Sequence, residues 1–227
     1  MPCVILVPMK DHAQAKSRLA LLLDTRERGL LAQAMLEDLI GVLQAIPGPV
    51  VAVTNGTGAA ARAAAAGWRV LWEERPVSES ASVDAASRLL AQEGVGAVLR
   101  LPADLPLLQT RDVAEVLSRA AAAPSAVLAP SRDRTGTNAL LRRPPDLFPS
   151  RFGSGSFSHH LAEAARANAH VAIVENPRLA LDLDEASDIA RFLEHPPEGH
   201  TYRLLQRLNI HERLARHDAQ SDTHSWD

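Results

Sequence analysis

A chain of 227 residues, 46% hydrophobic and 22% charged, carries enough apolar material for one well-buried α/β domain and has neither a disordered nor a fibrous composition. Its formal net charge of -3, from 24 basic and 27 acidic residues, provides no general field for nucleic acid or an anionic membrane, so an anionic ligand must be held by a local cluster. The single cysteine, Cys3, excludes an internal disulfide and a thiolate zinc site; no apolar run reaches the length of a membrane span, and a cytoplasmic protein is expected.

Val4 to Val7 is a continuous apolar run ended by Pro8, as in a buried parallel strand that feeds a loop. Asp24 with Glu27 forms a capping-box pattern ahead of a long helix in which Leu31, Ala34, Met35 and Leu39 recur at helical spacing. Strands are expected at Val50 to Val53, Arg69 to Trp72 and Ala97 to Leu101, with helices at Gly58 to Ala66 and Ser82 to Glu93 between them. Thr110 is placed to cap a helix running to Ala122. Two strands, Ala126 to Ala129 and Asn138 to Leu141, flank a turn at Arg132-Asp133-Arg134. A helix from Phe157 to Asn168, strands at Val171 to Val174 and Leu179 to Leu183, and a helix from Glu185 to Leu193 complete the alternation. Such alternation argues a mostly parallel sheet with helices on both faces and a ligand crevice at the carboxyl ends of the strands. Residues 1–194 are read as this domain. Residues 195–227 begin at Pro196-Pro197 and are read as a C-terminal extension, a short amphipathic helix and a polar tail suited to forming a homodimer.

Three cations, Lys10, Lys16 and Arg18, follow the first strand and face that crevice, where they can balance a nucleotide's phosphates; the other reading is a solvated loop with ordinary charges. Neither a P-loop nor a dinucleotide fingerprint is present. Asp104, after the fourth strand and between Pro102 and Pro106, is a natural oxygen ligand for Mg²⁺ or else a turn or cap aspartate. Asp182 and Asp184, two apart on an expected strand, would share one face and could complete a metal site; equally, Asp184 fits as a helix cap. Gly136-Thr137-Asn138 and Gly153-Ser154-Gly155-Ser156 place glycines and hydroxyls in turns just before a helix, where backbone amides and the helix dipole favour a phosphate. His160, one turn into that helix, is placed to donate a hydrogen bond to a phosphate or carboxylate.

Taken in order, Val7-Pro8-Met9-Lys10 with Ala15-Lys16-Ser17-Arg18-Leu19, Asp104-Leu105-Pro106-Leu107-Leu108, Gly136-Thr137-Asn138-Ala139-Leu140, Phe152-Gly153 with Gly155-Ser156-Phe157 and His160, and Leu181-Asp182-Leu183-Asp184 resemble the phospholactate guanylyltransferase family. The resemblance spans about residues 1 to 194. It implies a glycosyltransferase A-like nucleotidyltransferase fold and a GTP-dependent enzyme of coenzyme F(420) biosynthesis. Such enzymes join GMP to 2-phospho-L-lactate, phosphoenolpyruvate or 3-phospho-D-glycerate. By the same resemblance Lys10, Lys16 and Arg18 hold the triphosphate, with Lys16, Arg18 and Asp104 catalytic. Asp104, Asp182 and Asp184 hold Mg²⁺, and Thr137, Asn138, Gly153, Ser156 and His160 hold the phosphoacid. Where the family commonly has a Leu-Asn pair, this chain has Val83-Asp84; Asp84 is expected to accept from guanine N1–H and N2–H₂. Two alternatives stay open: transfer to another acceptor, such as a molybdopterin or a sugar phosphate, and a non-catalytic nucleotide-binding regulatory module.

Overall fold

The computed structural model describes residues 3–9, 16–75 and 77–223. On β1 (Cys3–Met9), Val4 and Leu6 point to one face while Ile5 and Val7 point to the other, and all four are buried. A strand with both faces covered needs apolar residues at every position, and the period of two then feeds a core on each side.

After a single 3₁₀ turn at Ser17–Leu19 the chain enters α1 (Thr25–Gln44), whose start is the expected capping box: Glu27 N–H donates to Asp24, and Asp24 N–H donates to the Glu27 carboxylate. Strand and helix then alternate through β2 (Val50–Thr54), α2 (Thr57–Ala65), β3 (Arg69–Trp72), α3 (Glu79–Gln92), β4 (Ala97–Arg100) and α4 (Thr110–Ser118). The cap of α4 is Gln109, in a box with Asp112, and the helix stops four residues short of the expected Ala122. A hairpin of β5 (Ser125–Pro130) and β6 (Thr137–Arg143) precedes α5 (Ser156–Arg166) and β7 (His170–Ile173).

Among the described residues seven strands form one sheet in the order β3-β2-β1-β4-β6-β5-β7. β6 runs antiparallel to both neighbours, β4 and β5, and the other pairings are parallel. One face packs Leu36, Leu39 and Leu43 of α1 and Val113 and Val116 of α4 against Ile5, Val7, Leu99 and Val127. The other packs Val83 and Leu90 of α3 against Val4, Leu6 and Val98, and Phe157 and Ala164 of α5 against Leu128 and Leu140.

Two expectations change in the last third of the chain. The stretch Leu179 to Leu183 is not a strand. Asn176 caps, and Pro177 opens, a one-turn helix α6 (Pro177–Ala180), after which Leu181 is extended and the segment joins no sheet. Proline fixes a helical φ and lacks only an amide that a first turn leaves free, which favours the helix there. The alternation survives without a ladder, since Leu181 and Leu183 are buried while Asp182 and Asp184 line the cleft. The segment beyond Pro197 is packed rather than appended. Following α7 (Ala186–Glu194), α8 (His200–Arg207) lies on α1, and Asp38 of α1 accepts from His200 N–H at 2.7 Å and Thr201 N–H at 2.9 Å. Leu204 and Leu205 of α8, with Ile210 and Leu214 of α9 (Ile210–Thr223), share a core with Leu31, Met35, Leu183 and Phe192. Among the described residues no helix is long and apolar enough to cross a membrane.

Candidate active site

A cleft of about 560 Å³ opens at the carboxyl ends of the central strands. Chain crossing at this end of an α/β sheet leaves loops, not covered strand faces, to line it. Asp104 comes from the loop after β4, and Asp182 and Asp184 from the extended segment after α6; Leu183 N–H donates to the Asp104 carbonyl at 3.3 Å, which brings the two stretches together. One carboxylate oxygen from each of the three aspartates lies within 4.8 Å of the others. Lys16, with a left-handed backbone (φ 59°, ψ 42°), places its ammonium 2.7 Å from Asp104 and 2.6 Å from Asp184.

Burial alone would raise the Asp104 carboxyl, but the Lys16 charge and hydrogen bond outweigh it and hold the group below the usual carboxylate range. Lys16 is the mirror case. Burial opposes its charge, the two aspartates more than compensate, and its pKa rises. Asp182 receives no such bond from Lys16 and is pushed up to about 6, first by burial and then by the Asp104 and Asp184 charges. Among the described residues the three aspartates have one ammonium, that of Lys16, in direct contact, and clustered hard oxygen donors of this kind suit a divalent cation. The capping of α7 is carried by Glu185 and Asp188 rather than by Asp184, which leaves the Asp184 carboxylate to the cleft. Arg18 also lines the cleft, paired with Glu185 at 2.9 Å in an exposed contact that contributes little to stability. Lys10 lies outside the described residues.

The opposite wall is built by β6 and the turn before α5. Thr137, Asn138, Gly153, Ser154 and Ser156 line it. Gly153 (φ 119°) and Gly155 (φ 71°) have backbone conformations that a side chain would strain, which is why the turn is glycine-rich. The first two amides of α5 are already used, Ser156 N–H by the Gly153 carbonyl and Phe157 N–H by that of Thr135. The wall therefore meets a ligand with hydroxyls and the dipole end of the helix. Asn138 donates to the Leu179 carbonyl at 2.9 Å and to Asp182 at 3.3 Å, so it also holds the aspartate segment in place.

Two of the residues expected to meet a ligand do not line the cleft. Asp84 is absent from the cleft lining, and its carboxylate accepts from Arg142 at 3.0 Å and from Ser150 N–H at 3.0 Å; Arg142 is fully buried and captures the acid that was expected to read the base. His160 is wholly buried, with Thr137 Oγ1 at 2.9 Å from Nδ1 and Arg151 N–H donating to Nε2 at 2.8 Å. It lies behind the wall and does not line the cleft. Burial, then the Arg142 and Arg100 charges, push the imidazole down to about 3, with Asp84 opposing and His159 adding slightly. An unfolded histidine takes up a proton near pH 6.5, so stability falls as pH drops below that value. Between pH 7 and 5 the His160 contribution is expected to cost about 2 kcal/mol, at ~1.4 kcal/mol per pH unit. Denaturant melts at the two pH values would show a smaller difference for His160→Phe; equal differences would contradict this.

Arg100 was missed. It ends β4, is buried in the cleft floor, donates to the Thr137 and Asn138 carbonyls at 3.3 Å each, pairs with Glu79 and sits 4.2 Å from the Phe152 ring centroid. The available signal was a charge closing an otherwise apolar parallel strand, at the end where ligands bind.

Among the described residues the sheet order, with β6 antiparallel to both its neighbours, and the aspartate cluster at the carboxyl ends of the strands are those of a glycosyltransferase A-like fold. A solved structure from Desulfovibrio desulfuricans G20 superposes with a TM-score of 0.75 at 16% identity, covering 95% of this chain and 98% of that one. A nucleotidyl transferase from Methanothermobacter thermautotrophicus gives 0.57 at 16% identity, covering 86% and 97%. The chain belongs to the guanylyl transferase CofC-like family, whose family model matches residues 3–223. It is 40% identical over 195 residues to the phosphoenolpyruvate guanylyltransferase of Rubrobacter xylanophilus, covering 84% of this chain and 93% of that one. It is 34% identical over 199 residues to the 3-phospho-D-glycerate guanylyltransferase of Phenylobacterium zucineum, covering 86% and 91%. Identity to the 2-phospho-L-lactate guanylyltransferase of M. thermautotrophicus is 30% over 210 residues, covering 92% of each. The protein is an enzyme that transfers a nucleotide.

Proposed function

We propose that this enzyme transfers GMP from GTP to a small phosphorylated three-carbon acid, 2-phospho-L-lactate, phosphoenolpyruvate or 3-phospho-D-glycerate, as a step of coenzyme F(420) biosynthesis in the cytoplasm. The observation that carries the reading is one cleft with a lysine-bridged aspartate cluster on one wall and a glycine and hydroxyl cradle on the other. A phosphate oxygen of the acid attacks the α-phosphorus of GTP, the bond to the β-phosphate breaks, and pyrophosphate leaves with its negative charge. The attacking phosphate is already ionised, so no general base is required. Lys16 and Arg18, with Lys10, hold the triphosphate, and Thr137, Gly153 and Ser156 hold the acid, so catalysis rests on positioning and electrostatics. Asp104, Asp182 and Asp184 would hold Mg²⁺, which when bound offsets charge on the phosphates.

A non-catalytic regulatory module would be favoured by dispersed carboxylates, and here they are gathered. The relatives named for phosphoacids favour such an acceptor over a sugar phosphate. With GTP and Mg²⁺, pyrophosphate release is expected with at least one of the three acids, and little with ATP or CTP in place of GTP. No release with any acid would overturn the proposal.

A further inference from the structure

We propose that His160 is a positioning residue that ties together the two halves of the acceptor cradle, β6 and the turn before α5, and turns the Thr137 hydroxyl hydrogen toward an anionic oxygen of the ligand. This deepens the functional reading above and rests on it for the nature of the ligand. Arg151 N–H lies 2.8 Å from Nε2, and an amide N–H can only donate, so Nε2 carries no proton. A buried ring whose charging is opposed by Arg142 and Arg100 is neutral, and its one proton is therefore on Nδ1. Nδ1–H then donates to Thr137 Oγ1 at 2.9 Å, which uses the hydroxyl oxygen as acceptor. Among the described residues the Thr137 hydroxyl makes no other side-chain hydrogen bond, and Thr137 lines the cleft, so its own hydrogen is left for a ligand.

A donor in that position binds most strongly an oxygen that is anionic, as in a phosphate or carboxylate, and disfavours a ligand group that can only donate, such as an ammonium. The same ring reaches the other half of the cradle, because Arg151, whose N–H it accepts from, directly precedes the Phe152-Gly153 turn. Phe152 packs edge-on against the imidazole with centroids 4.9 Å apart, and Phe148 lies 6.4 Å away, so the ring plane is fixed. One side chain thus sets the spacing between the start of β6 and the turn that opens α5.

The tautomer is read directly by long-range ¹H–¹⁵N correlation of the imidazoles, with His160→Asn used to assign the signal. A neutral Nδ1–H ring that does not titrate between pH 5 and 8 is expected; an Nε2–H or charged ring would overturn the proposal. Kinetics test the consequence, with whichever of the three acids supports turnover. Losing a hydrogen bond to an anion corresponds to roughly 10-fold or more. His160→Phe and Thr137→Val are each expected to raise the KM for the acid by about that factor and leave the KM for GTP unchanged. The double variant should be no worse than Thr137→Val, whereas multiplied effects would overturn the proposal. Should His160→Phe fail to fold, His160→Asn keeps an N–H near the Nδ1 position and is expected to raise the acid's KM less than Thr137→Val; an equal or larger rise would overturn it. Absence of turnover by the unaltered enzyme with all three acids counts against the functional reading alone, and the imidazole spectrum still decides this proposal.

Discussion

Asp104→Asn is expected to lower the rate of pyrophosphate release by at least about 100-fold while the protein stays folded, since a cation site supplying several kcal/mol of transition-state stabilisation loses a charged ligand. The substitution keeps the shape and removes one charge from the cluster of Asp104, Asp182 and Asp184. Lys16 keeps its bond to Asp184 at 2.6 Å, and the Leu183 contact with Asp104 is made to the backbone carbonyl, so neither the loop after β4 nor the aspartate segment is released. Circular dichroism and a thermal melt close to those of the unaltered protein should accompany the loss. Retention of the rate would remove Asp104 from the catalytic machinery. A matching loss of structure would make it a folding residue.

For Asp84→Ala the expected outcome is the reverse: a marked loss of stability with little change in the KM for GTP. The Asp84 carboxylate, 15% exposed, is the anionic partner of Arg142, which is 2% exposed and also donates to Ser87 at 2.9 Å and to the Phe148 carbonyl. Removing one partner of a buried pair strands the other charge, at a cost of roughly 3 kcal/mol, the lower end of what such changes cause. For a chain of this length that corresponds to a fall of about 6–12 °C in Tm. The Ser150 amide loses its acceptor as well, which loosens the stretch leading into the Gly153 turn. The KM for GTP should remain within about twofold, since Asp84 does not line the cleft. A tenfold rise in that KM with unchanged Tm would return Asp84 to the nucleotide.

The amino-acid sequence by itself determined the layered α/β plan. Apolar runs such as Val4 to Val7 and Val50 to Val53 record burial on both faces of a strand, and Asp24 with Glu27 marks a helix start, because both signals are local. It also determined that Asp182 and Asp184 share a side, since their alternation with Leu181 and Leu183 holds in any extended backbone, with or without a sheet. What the tertiary structure alone decided is which partner each charged or polar group meets. Lys16 reaches Asp104 across 88 residues and Asp184 across 168, because their loops emerge at the same end of the sheet. Asp84 and His160 sit in sequence where a ligand contact was plausible, yet Arg142 claims the first, and Thr137 with the Arg151 amide claims the second. No local period encodes such pairings. They follow from strand order and loop crossing, and in the low-dielectric interior each buried polar group must take the partner that topology brings within reach.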